Sequence, residues 1–148
     1  MPNKQDIVTI AEKEIGYYEQ AGNRTKYGQW FGFNGVAWCA IFVSWCYSKA
    51  GFPIKGGGWP NGFAGCQIGY EKFKSKLTTD PQPGDIVLFD WNGDGRYDHT
   101  GIFVQWLSDG WFHSVEGNTS IKNQSNGGQV MRRKRNRNKA VFIQLIRL

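Results

Sequence analysis

Cysteine and histidine are the scarce reactive residues here: 148 residues hold 3 cysteines and 2 histidines. Three cysteines cannot all pair, and no Cys and His set recurs at zinc-site spacing. Neither a disulfide framework nor a tetrahedral zinc site therefore underlies the fold. Long apolar runs are missing too. None approaches the roughly 18 residues of a spanning helix, so no such helix inserts into a membrane. The opening MPNKQDIVTI lacks the charged-then-apolar pattern of a secretory signal. The expectation is synthesis in a reducing cytoplasm, with help needed to cross a membrane. Acidic residues are in deficit, 12 Asp and Glu against 18 Lys and Arg, for a formal net charge of +6. Much of the excess sits in RRKRNRNK, residues 132–139. Such a run reads either as a solvated basic hairpin or as a surface for an acidic partner: nucleic acid, anionic lipid or an anionic cell wall.

What the chain has is aromatic bulk, with 7 Trp, 10 Phe and 6 Tyr. That argues for a packed core and against disorder. The length suits one domain over 1–148, able to bury roughly 70% of its unfolded surface without a disulfide. Helical spacing of Ile7, Ile10, Ala11 and Ile15 predicts a first helix over 4–15, capped by Asn3 and stopped by Gly16. Residues 17–36 read as a loop. A second helix spans about 37–50, with Gly51 and Pro53 beyond it. A third, weakened by two glycines, spans about 62–76. The second half reads as strands over 85–89, 100–106, 110–116, 128–133 and 140–147. Ser108-Asp109-Gly110 marks a tight hairpin. Helices first and strands after predict an α+β fold, with helices packed on one side of an antiparallel sheet of about five or six strands.

The stretch AWCAIFVSWC, 37–46, carries Cys39 and Cys46 on one apolar helix. Buried cysteines in such settings are usually inert packing. Cys39, however, falls in the first turn, where the helix end carries about half a positive charge and unpaired N–H groups. A thiolate is favoured there. Cys46, two turns further in, gets no such help, and Cys66 reads as core. A thiolate nucleophile needs an imidazole, and the imidazole an orienting acceptor. His99 stands where a loop enters a strand and is better placed than His113, a mid-strand residue. If 100–106 and 110–116 pair around Ser108-Asp109, His99 and Glu116 come within cross-strand reach, with Asn118 close by.

These residues resemble the CHAP domain, the cysteine, histidine-dependent amidohydrolase/peptidase family, distantly similar to NlpC-type and papain-like peptidases. The matching segments are WCAIFVSWCYSKAG (38–51), PGDIVLFD (83–90), DHTGIFV (98–104), VEGN (115–118) and GGQVMRR (127–133). The resemblance implies a papain-like/NlpC-like fold and a peptidoglycan hydrolase, as in bacteriophage endolysins with antimicrobial, wall-lysing action. It implies Cys39 as nucleophile, His99 as base and acid, Glu116 as its orienting partner and Asn118 as further polar support. The oxyanion would rest on backbone N–H groups at the helix start, that of Cys39 included. Some relatives carry Gln just before the nucleophile; Trp38 stands there, so no side-chain oxyanion donor is assigned. Peptidoglycan is the implied partner of a monomeric chain, with no nucleic acid.

DWNGDGRYD, 90–98, sets Asp90, Asn92, Asp94, Arg96 (by its carbonyl) and Asp98 at positions 1, 3, 5, 7 and 9 of an EF-hand-like loop, with Gly95 at position 6. Position 12 is Gly101, so the bidentate carboxylate is missing. The alternatives are a structural Ca2+ site that steadies the segment leading into His99, and a polar turn. The rival to the enzyme reading is a non-catalytic module, calcium-dependent or basic, that binds cell wall or nucleic acid.

Overall fold

The computed structural model describes residues 2–120, 123 and 126–147. Four helices precede all six strands: α1 (Gln5–Lys13), α2 (Lys26–Phe31), α3 (Cys39–Lys49) and α4 (Cys66–Phe73). The strands are β1 (Leu77–Thr78), β2 (Ile86–Phe89), β3 (His99–Trp106), β4 (Trp111–Thr119), β5 (Gln129–Asn136) and β6 (Ala140–Ile143). They form one antiparallel sheet in the order β1-β6-β2-β3-β4-β5. The α+β architecture expected from the sequence is therefore the one observed.

Local chemistry accounts for most element ends. The N-cap of α1 is Lys4, which makes no side-chain capping bond; Asn3, expected at the cap, stands one residue earlier, and its side chain accepts from Gln5 N at 2.9 Å. The first helix stops earlier than its spacing suggests because Gly16 N turns to pair with Val130 O at 3.0 Å. The helix expected over 62–76 is α4, also shorter than its expected span, and one 3₁₀ turn (Lys74–Lys76) follows it. In the β3–β4 hairpin Asp109 and Gly110 both take positive φ, 58° and 79°, the geometry of a two-residue turn that matches strand twist.

Helix α2 lies inside the segment read as loop. Its signal is short: Thr25 caps it by accepting from Gly28 N at 2.9 Å, and Gly32 closes it. Only six residues lie between, too few for a periodic pattern to stand out among Gly and Asn. Its Tyr27 is fully buried and stacks on Trp38, with ring centroids 5.5 Å apart.

Strand alternation divides the core in two. Ile86, Leu88, Ile102 and Val115 join the cluster built around α3. Val87, Phe89, Phe103, Phe112 and Phe142 point the other way and pack on Trp91, Trp106 and Ala140. Each fully buried side chain of this size contributes roughly 1.5–3 kcal/mol. Phe112 on β4 and Phe142 on β6 bring their rings to 5.4 Å although β2 and β3 lie between those strands. Flat strands would hold them roughly 14 Å apart, so the sheet curls around this aromatic cluster.

The basic run does not form a hairpin. Residues 132–136 continue β5, one 3₁₀ turn (Arg137–Lys139) follows, and β6 pairs with β1 and β2, not with β5.

Candidate active site

Cys39 is the first residue of α3, with Trp38 at the N-cap. The Trp38 ring is buried, and its indole N–H donates to Glu19 Oε1 at 2.8 Å, so this side chain is committed elsewhere. Gly117 on β4 lets the helix start come down onto the sheet. A Cβ there would stand 2.7 Å from the Trp38 ring and 2.8 Å from Phe42 Cβ.

His99 is the first residue of β3 and is fully buried. Its Nε2 lies 2.9 Å from Glu116 Oε1, across from β4. The register Ile102↔Val115 sets Glu116 opposite Gly101, two residues along from His99. Gly101 makes that diagonal reach feasible, since a Cβ would meet Glu116 Cγ at 2.6 Å. With a carboxylate on Nε2, the proton of a neutral ring sits there and Nδ1 faces away from Glu116. That Nδ1 is buried and has no hydrogen-bond partner among the described residues.

Glu116 is held from three sides. Arg135 donates Nε to Oε2 at 2.9 Å and Nη2 to Oε1 at 2.6 Å, and Ser114 Oγ donates to Oε2. The guanidinium also lies 4.7 Å from the Trp91 ring centre and 5.4 Å from that of Phe89. Bidentate pairing fixes the carboxylate plane as well as its charge.

These contacts set the protonation states. Burial pushes the Glu116 carboxyl up, but Arg135 and His99 outweigh it and bring it down to about 2. Burial likewise pushes the His99 imidazole down, but Cys39 and Glu116 raise it to about 9. The Cys39 thiol is brought well below its ordinary value, most by a hydrogen bond from Cys66, against burial, and then by His99 and the Thr100 N–H. Both shifts run toward a thiolate beside an imidazolium. Cys46 on the same helix is fully buried, and burial pushes its thiol well above the ordinary value.

Three residues of this site escaped the sequence reading. Cys66, read as core, is the first residue of α4, and its Sγ lies 3.6 Å from Cys39 Sγ. Only tertiary contact reveals this, because nothing in the spacing links 39 to 66. Arg135 was read as part of a basic run. Extending the β5 alternation two residues past Arg133, which pairs with Ser114, would have set it on the face of Glu116. Ser114 sits two residues before Glu116 on that same face.

Asn118 is buried at the end of β4 with φ +56°, and its Nδ2 donates to Asn126 Oδ1 at 3.1 Å. His113 is a half-buried sheet residue opposite Gln105 and Lys134.

In the loop 90–98 the carboxylates serve the backbone. Asp90 Oδ1 accepts from Gly93 N (3.0 Å) and Asp94 N (3.3 Å), and Oδ2 from Gly95 N (2.9 Å). Asp94 Oδ1 accepts from Arg96 N at 3.0 Å, and Asp98 Oδ2 from Trp91 N at 3.1 Å. Among the described residues no three His, Cys, Asp or Glu side chains converge as metal ligands. A calcium shell needs six to eight oxygens turned inward on one point; of the expected set Asp90, Asn92, Asp94, Arg96 and Asp98, the three carboxylates here accept from backbone N–H groups.

The family model of the CHAP domain matches residues 31–118. Among solved structures the wild type endolysin LysIME-EF1 superposes with a TM-score of 0.61 at 15% identity, over 96% of this chain and 64% of that one. The peptidoglycan hydrolase RipB from Mycobacterium tuberculosis does so with a TM-score of 0.57 at 13% identity, over 98% of this chain and 65% of that one. The chain thus spans less than two thirds of either protein, and at these identities the likeness is one of fold. Among curated proteins none matches.

Proposed function

The chain belongs to the CHAP domain family, and from that premise we propose that it hydrolyses an amide bond of bacterial peptidoglycan with Cys39 as nucleophile. The bond is either the one between muramic acid and L-alanine or a peptide bond of the stem or cross-bridge. The observation that carries the reading is the chain of contacts from Arg135 through Glu116 to His99, an imidazole near enough to the Cys39 thiol for each to shift the other's protonation. The site of action is the cell wall.

In acylation Cys39 Sγ attacks the amide carbonyl, and negative charge moves onto the carbonyl oxygen. Backbone N–H groups at the start of α3 are the donors for that oxygen, because the first turn of a helix leaves them unpaired. The C–N bond then breaks, and His99 gives its Nδ1 proton to the leaving amine. In deacylation water attacks the thioester, His99 Nδ1 takes its proton, and Cys39 leaves as thiolate. Throughout, Glu116 holds Nε2–H, so the same nitrogen of the ring always meets the reacting atoms. Asn118, beyond Glu116 on β4, is a polar support of the strand end. No step runs through a metal.

The test uses purified walls. Cys39→Ser should abolish release of soluble fragments while leaving wall binding intact. Lysis retained in that variant would remove the reading and favour a non-catalytic binding module. Mass spectrometry of the released fragments assigns the bond: a freed muramic lactyl group marks an amidase, a new peptide terminus an endopeptidase.

A further inference from the structure

Two helix starts meet at one point in this molecule. Cys39 opens α3 and Cys66 opens α4, and their sulfurs lie 3.6 Å apart. A packing role for Cys66 needs no second sulfur in front of the first. Its placement is well held: Gln67 Oε1 accepts from Tyr97 N at 2.9 Å, and the Tyr70 and Tyr97 rings stack at 4.6 Å. These contacts pin α4 to the segment that leads into His99. Both sulfur residues keep a sliver of exposure, 6% for Cys39 and 9% for Cys66, whereas Cys46 has none.

We propose that Cys39 and Cys66 form a reversible oxidation site, at which hydrogen peroxide closes a disulfide and switches the nucleophile off. The proposal rests on Cys39 being that nucleophile. In the first step Cys39 Sγ attacks the peroxide oxygen; an S–O bond forms, the O–O bond breaks, and hydroxide leaves and is protonated to water. In the second step Cys66 Sγ attacks the sulfur of the Cys39 sulfenic acid. The S–S bond forms, the S–O bond breaks, and the departing hydroxide takes the Cys66 proton as a second water. Two thiols are oxidised by two electrons and one peroxide is reduced to two waters. A thiol reductant reverses the bond by exchange.

Geometry and charge favour this order. Closing the pair from 3.6 Å to a disulfide length of about 2.05 Å needs about 1.6 Å of approach. Gly65 before Cys66 has extended backbone, φ −129° and ψ 139°, so the approach needs no unwinding of α4 ahead of the sulfur. Charge is divided unequally: Cys39 carries the thiolate, which peroxide oxidises, and Cys66 keeps the proton because its hydrogen bond to Cys39, then burial and its neighbour's charge, push its thiol up. Once Cys39 is oxidised that charge is gone, and Cys66 is free to act as the resolving sulfur.

The experiment treats the full chain with hydrogen peroxide, blocks free thiols with iodoacetamide and maps peptides without reduction. The expected result is a linked pair holding Cys39 and Cys66, lighter by about 2 Da than the two reduced peptides, and its disappearance with dithiothreitol. Wall lysis should fall and return with that bond in the wild type and in Cys46→Ser. In Cys66→Ser prolonged peroxide should carry Cys39 on to the sulfinic acid, heavier by about 32 Da, which dithiothreitol does not rescue. Cys39 oxidised in the wild type while Cys66 still alkylates would overturn the proposal. If Cys66→Ser fails to fold, the wild-type map alone decides. The link is read by mass, so it also separates the two ideas. A cross-link in a protein that never lyses walls removes the hydrolase and keeps the pair. Lysis without a cross-link does the reverse.

Discussion

The two ends of AWCAIFVSWC are chemically alike and physically opposite. Cys39 and Cys46 sit on one helix, both buried and both among aromatic and branched side chains. One thiol is held well below its ordinary value and the other well above it. Burial acts upward on both. What separates them is what meets the sulfur: a second thiol, an imidazole and a strand N–H at Cys39, and mainly apolar neighbours with the distant charges of Glu14 and Lys26 at Cys46. A cysteine's reactivity here is a property of two other elements (α4 and β3) added to its place at the start of its own helix.

Several substitutions break or sharpen that contrast. The largest effect belongs to Cys39→Ala, which should bring wall lysis to background and remove rapid iodoacetamide labelling at neutral pH. Labelling that moved to Cys46 would contradict the contrast directly. Next comes Arg135→Met, which leaves Glu116 buried with half its partners. It should cost about 3–5 kcal/mol, read by urea unfolding. Its acid limb is a second readout. In the native fold the Glu116 carboxyl binds a proton only near pH 2, below its ordinary value of 4.5. Its contribution to stability is therefore complete above that ordinary value and is lost as pH falls toward 2. Without Arg135 the folded value rises, so acid unfolding should begin at higher pH.

The pH profile of lysis is a subtler probe. The imidazolium persists up to about 9, so activity should fall as pH rises through about 9, not near the ordinary histidine value. In Glu116→Gln that falling limb should shift to lower pH. Cys46→Ala should cost only about 1–2 kcal/mol, the loss of a small buried side chain, and keep lysis within about twofold of the wild type. The smallest expected effect is that of calcium or EDTA. Because Asp90 already accepts from three backbone N–H groups, Tm should stay nearly unchanged. A rise of several degrees on adding calcium would show that Asp90 exchanges those donors for the ion.

Much of this was legible in the chain. Patterns that repeat within one element survive reading in one dimension: the buried span of α3, the alternation of β2 to β4 and the turn at Asp109-Gly110 all follow from local spacing. The proximity of His99 to Glu116 was also legible, because a tight hairpin ties strand register to residue count. The structure refines it to a diagonal contact that crosses the missing side chain of Gly101. Helix α2 was hidden by its brevity, and Arg135 by a run of charge that looked like surface. The curl of the sheet and the aromatic cluster behind Arg135 join strands far apart in sequence, and no local rule reports them.

By itself the sequence determined which residues carry reactive chemistry, the helix-then-strand order, and the hairpin that brings an imidazole to a carboxylate, because each depends on short-range periodicity and turn geometry. Only the tertiary structure decided that Cys66 faces Cys39 and that Arg135 neutralises Glu116. Those contacts span 27 and 19 residues, and their energy is realised only when separate elements exclude water around the same few atoms.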